Sequence, residues 1–179
     1  MVFGLIRRKT SRPAAQLYDG LMGLSRQPVF YAELGVADTV EGRLEMLMLC
    51  VGLAVHRLSQ ESDGREVARD LSECFIDDME RSIRDIGYDD SGLKRRLKKV
   101  VGAFYGRTEA IAAALASEVP GALVDALLRN VYGGAAEPAS VSRLADYVRK
   151  LAQSLAEMPL AELITGALPS LAAPSISAD

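Results

Sequence analysis

The 179-residue chain has no tryptophan, one histidine (His56) and two cysteines (Cys50 and Cys74). Aromatic residues make up only 6 % of it, which argues against a platform that stacks successive bases. Leu53 and Gly52 stand three and four positions before His56, so the Glu-x-x-His pairs of a di-iron bundle are missing. A lone histidine of this kind reads as a surface or capping residue, and no metal ligand or cofactor is expected. The cysteines lie inside apolar helical patterns without metal-ligand spacing, as reduced core thiols of a cytoplasmic protein do. No glycine-rich phosphate loop and no Gly-x-Ser-x-Gly elbow occur. Period-2 alternation with turn signals is absent, so no sheet is expected, and there is no internal repeat. The longest apolar run, Met46 to Val55, is about half the ~20 residues that span a bilayer. No secretory signal is legible: the apolar opening Val2 to Ile6 precedes its basic residues and is too short. A net charge of −3 argues against wholesale coating of nucleic acid, though it leaves local patches open.

What the chain does have is helical periodicity. Val40, Leu44, Leu47, Met48, Val51, Val55 and Leu58 recur at spacings of three and four, and Met46, Leu49, Cys50, Leu53 and Ala54 make the other sides apolar. Such a helix is buried nearly all round. Asp38 and Glu41 predict a capping-box start for it. Around this central helix the pattern predicts others. One starts at Ser11-Pro13, a short one spans Pro28 to Leu34 and ends at Gly35, and a long one spans about Arg65 to Ile86. A further helix runs from a cap at Asp89-Asp90-Ser91 to about Tyr105, with a kink or break at Gly106-Arg107 and an alanine-rich helix from Thr108 to Ser117. Pro120 opens another, and Ser140 caps the last, to about Ala156. The expected fold is all-α: a single-domain orthogonal, irregular helical bundle around a buried central helix. Residues 1–12 are expected to be a flexible basic terminus, 13–168 the helical domain, and 169–179 a disordered tail. Gly133 to Ala139 is the best internal boundary.

Charge patterning supplies the candidate sites. Lys94, Arg95, Arg96, Lys98 and Lys99 face outward from the helix whose inward side carries Leu93, Leu97, Val100, Val101 and Phe104. That face is either solvated or a docking surface for acidic lipid, RNA or an acidic partner. The basic tip at Met1 to Arg12 suggests reversible adhesion to an anionic membrane. Asp78 lies at the edge of an apolar face and needs a cationic partner or amide donors. The pair Asp77-Asp78, with Glu80 near, is similar to the magnesium-binding carboxylates of all-helical prenyl-transfer enzymes. The spacing fails at Arg81 and no second cluster follows.

Several short motifs stand in a specific order. They are Gln27-Pro28-Val29-Phe30-Tyr31, Asp38-Thr39-x-Glu41-Gly42-Arg43, His56-Arg57-Leu58, Phe75-Ile76-Asp77-Asp78-Met79, then Arg84, Gly87 and Asp90, and Phe104-Tyr105-Gly106-Arg107. Together they closely resemble the ubiquinol–cytochrome c chaperone family, over roughly Leu17 to Leu115. Cys50 stands where the family pattern has a histidine, Ile83-Arg84-Asp85 replaces a Leu-Arg-Glu pattern, and Tyr88-Asp89 replaces a Val-Gly pair. The resemblance implies a non-catalytic assembly factor with no cofactor and no small-molecule substrate. Mitochondrial relatives act at the ribosomal tunnel exit with a small partner subunit. They receive newly made cytochrome b for the ubiquinol–cytochrome c reductase complex. A small uninterrupted chain without a transit peptide is expected to be a bacterial version, cytoplasmic or peripheral at the inner face of the cytoplasmic membrane. Arg43, Asp78, Arg84, Arg107, Tyr105 and Asp38 are its candidate residues, as a client- or partner-binding patch or as a buried charge network. In the second case Asp78 is expected to pair with Arg43 or Arg107. Gly42 and Gly106 are expected to allow close helix approach. Lys94, Arg95, Lys98 and Lys99 are the candidate basic docking surface. The competing class is a peripheral membrane- or RNA-binding adaptor using the basic helix 93–105.

Overall fold

The computed structural model describes residues 10–170; the expectations for the basic tip at 1–9 and the tail at 171–179 lie outside them. Among the described residues there are α-helices and no strands: α1 (Arg12–Ser25), α2 (Pro28–Ala32), α3 (Val40–Ser59), α4 (Arg65–Asp85), α5 (Asp90–Ala116), α6 (Ala122–Asn130), α7 (Pro138–Glu157) and α8 (Leu160–Leu163). This is the all-α bundle that the periodicity predicts.

The helix α3 is its axis. Every residue from Met46 to Val55 is buried, and α1, α4, α5 and α7 all pack against it. Each leucine, valine or methionine fully withdrawn from water there contributes ~1.5–3 kcal/mol, so the apolar run explains why four helices converge on one. Val40 is a correction: it sits in the first turn, before the surrounding helices arrive, and is largely exposed. The cap is a second correction. Thr39, extended just before the helix, accepts from the Gly42 amide at 3.1 Å. Asp38 instead accepts from Arg43 Nε at 2.7 Å.

Aromatic contacts join the outer helices across this core. Phe75 on α4 stacks on Phe104 of α5, with ring centroids 4.6 Å apart. Phe30 of α2 meets the edge of Tyr147 on α7 at 5.1 Å. Polar side chains then tie loops and helices together. The Tyr132 hydroxyl donates to the Leu34 carbonyl at 2.8 Å, and Arg57 Nε donates to the Leu155 carbonyl at 3.1 Å. The buried core continues from α3 into α6 and α7, so the Gly133–Ala139 stretch is a turn within one core.

The expected break at Gly106-Arg107 does not occur. α5 runs unbroken for 27 residues. One interior glycine costs only ~1 kcal/mol, and burial of Phe104 and Ile111 on either side outweighs that. Gly106 also has open space where a side chain would be, so it permits no close approach inside this fold. The close contacts lie elsewhere. A Cβ on Gly42 would sit 2.0 Å from the Ala37 carbonyl oxygen of the incoming loop, and one on Gly52 would sit 2.5 Å from Thr108 Oγ1. The second contact lets α3 and α5 touch.

Candidate functional site

The six candidate residues fall into separate local groups. Asp78 accepts from the Tyr18 hydroxyl at 2.8 Å, across the α1–α4 seam, and has Arg81 at 3.9 Å. It pairs with neither Arg43 nor Arg107, because both are already engaged on another side of the bundle. Burial and the Asp78 carboxylate together push the Tyr18 hydroxyl far above its ordinary range, so it stays protonated and donates. Arg43 pairs with Asp38 and lies 5.1 Å over the Tyr31 ring, in an exposed setting. Arg84 bonds Glu80 at 2.8 Å and approaches Asp90 at 3.8 Å, linking the end of α4 to the start of α5. Tyr105 is half exposed, its ring tilted against Phe104.

Arg107 has the partner that the sequence reading missed. Its guanidinium donates to Glu45 Oε1 at 2.7 Å and places Nε 2.5 Å from Oε2, across the α3–α5 interface. Both side chains are mostly withdrawn from water. Burial raises the Glu45 carboxyl pKa, and Arg107 pulls it back. The sequence signal was a single carboxylate next to the apolar run at Met46, on a helix otherwise buried there.

This pair forms a wall shared by two surface features. On one side is a cleft of about 320 Å³, bordered by Gly35, Gly42, Arg129 and Tyr132. On the other, an apolar seam between α3, α5 and α6 is lined by Met48, Leu53, Ile111 and Val131 and is almost closed, with about 10 Å³ of room. His56 borders the seam, but its ring is exposed and lies 3.0 Å from the Gln60 amide, as a surface histidine does. A third cleft, about 230 Å³ between α1 and α4, carries Tyr18, Asp78, Asp77 and Arg81.

A buried carboxylate outside the predicted set also matters. Asp70, on α4, is buried and accepts from the Ser11 backbone amide at 3.1 Å, where α1 begins. Burial alone would raise its pKa. Ser11 and Arg69 outweigh that and hold it below the ordinary range. Cys50 is fully buried and its thiol is pushed up to about 12 by desolvation. Cys74 is only half buried, at the edge of the core.

Among the described residues, no three His, Cys, Asp or Glu side chains are placed to hold a metal ion. No described helix is long and apolar enough to cross a membrane. Lys94, Arg95, Lys98 and Lys99 are exposed as predicted. Lys94, Lys98 and Lys99 enter no ion pair among the described residues.

Fold and surface together define an all-helical bundle with ion-paired clefts and a basic flank. The chain belongs to the ubiquinol–cytochrome c chaperone family, whose model matches residues 32–171. That match starts after the Gln27–Tyr31 motif and extends through α6, α7 and α8, so the family spans the C-terminal third that the motifs left unassigned. Among solved structures, the Cbp3 homolog from Brucella abortus is similar at 32 % identity, over 89 % of each chain, with a TM-score of 0.81. No curated protein matches the chain.

Proposed function

We propose that this protein is a non-catalytic chaperone that receives newly made cytochrome b near the membrane and holds it while the ubiquinol–cytochrome c reductase complex is built. The observation that carries the reading is the family match over 32–171, together with a homologous fold that covers nearly the whole chain. The surface is consistent with it. A partly buried Glu45–Arg107 pair beside a groove and an apolar seam gives a rim of fixed charge next to greasy side chains. Interfaces that take up another polypeptide combine these two features. A small partner subunit belongs to the same reading.

Deleting the gene and measuring the assembled ubiquinol–cytochrome c reductase complex tests it. The complex should fall while the messenger for cytochrome b persists. Unchanged complex would overturn the proposal. Restoring the wild-type chain should rescue assembly, and Arg107→Ala should rescue it poorly.

A further inference from the structure

We propose that the turn between α4 and α5, with the outward face of α5, is a docking surface for an anionic lipid bilayer. The inference goes beyond client holding and does not depend on it.

Three observations converge there. First, Ile86, at the end of α4, is one of the most exposed large apolar side chains among the described residues, at 69 %, and Tyr88 two residues on is also exposed. Gly87 between them turns the chain at φ +93, which leaves both at the tip of a helical hairpin. Ile86 at such a tip has little protein to pack against, and a membrane interface is the environment that rewards it. Second, Lys94, Arg95, Lys98 and Lys99 follow along one face of α5, and Tyr105 continues that face two turns further on. The stretch 84–99 holds six cations against three carboxylates, in a chain whose net charge is −3. Two of those carboxylates are occupied: Asp89 caps α5 by accepting from the Gly92 amide at 3.0 Å, and Asp90 lies 3.8 Å from Arg84. Third, the Arg96 guanidinium sits 3.9 Å over the Tyr88 ring. One face of that ring is therefore covered, which suits a wedge with a polar collar and does not suit a platform for nucleobases.

The arrangement matches what an anionic surface recognises: several cations at about 1 kcal/mol each close to the headgroups, and a small apolar tip that enters the interface. Neutral lipid lacks the first partner, and an RNA phosphate backbone has no use for the second.

The absence of tryptophan supplies the probe. The full-length chain carrying Ile86→Trp has one indole, placed at the tip. Its emission should shift to the blue on adding phosphatidylglycerol-containing vesicles, and acyl chains carrying bromine should quench it. Pure phosphatidylcholine vesicles should do neither. The unlabelled wild-type chain should co-sediment with the anionic vesicles. Ile86→Asp, and separately the double change Lys94→Gln with Lys98→Gln, should each lower that partition by roughly tenfold or more. All three positions are exposed, so circular dichroism should be unchanged. Four results would overturn the proposal: no blue shift, an equal response to neutral vesicles, wild-type partition that both variants retain, or tighter binding to an RNA oligonucleotide than to the anionic vesicles. None of these readouts involves cytochrome b, so vesicle binding and complex assembly can fail independently.

Discussion

Two carboxylates of this chain should answer pH in opposite directions. Glu45 has a folded pKa above its unfolded value of about 4.3. Its contribution to stability is therefore complete below that value and declines as pH rises through the folded one. Arg107→Ala removes the cation that offsets its burial, and should cost about 1–3 kcal/mol at neutral pH, less than a fully buried pair because both groups retain some water contact. That penalty should shrink on acidification, as Glu45 takes up a proton. Urea midpoints across the acid range would show it, and a pH-independent penalty would contradict it. Asp70 has the reverse sign. Its folded pKa lies below about 3.9, so its stabilisation is present above that value and is lost as pH falls through the folded one. Asp70→Asn should cost about 1–2 kcal/mol at neutral pH and progressively less in acid, since the Ser11 amide loses a charged acceptor. Neither role was legible in the sequence. Asp70 interleaves with Glu66 and Glu73, a spacing that reads as a charged outward face, and only the arrival of α1 buries it. Asp78 was legible as a residue in need of a donor, but the donor is a tyrosine hydroxyl from 60 residues earlier, and no local pattern announces such a partner.

Two glycines of α3 and α5 make the contrast at the scale of the helices. Gly52→Ala drives a methyl group to 2.5 Å from Thr108 Oγ1, which is itself tied to the Phe104 carbonyl at 2.9 Å. The helices would have to part, at a cost of about 1–3 kcal/mol. Gly106→Ala meets nothing and should stabilise α5 by about 0.5–1 kcal/mol. Thermal melts of the two variants should therefore move in opposite directions. If Gly106→Ala folds better but supports less reductase assembly, the glycine serves a contact outside this chain. Helix existence and most boundaries were legible because the apolar spacing is regular, and α7 begins only two residues before its expected cap. The continuity of α5 was not. A glycine followed by arginine looks like a break in sequence, while the decisive information, the burial of Phe104 and Ile111 on either side, is tertiary.

For the whole molecule, the two thiols report separate events. Cys50 lies in the sealed core and should react with a thiol reagent only when the bundle opens globally. Cys74, half buried at the α1–α4 seam, should react in the native state. Its burial also raises its pKa, so the reaction should be slow at neutral pH and speed up in base. Equal reactivity at both positions would mean that the core is not closed. The buried run of α3 has one more consequence, and it concerns birth. Ribosomes release α3 long before α7, about 80 residues downstream, and at ~5–20 residues per second that gap lasts on the order of 4–16 s. Through that interval the nascent chain displays ten unbroken apolar residues with one flank uncovered. A member of a chaperone family would then begin life in need of a guardian itself.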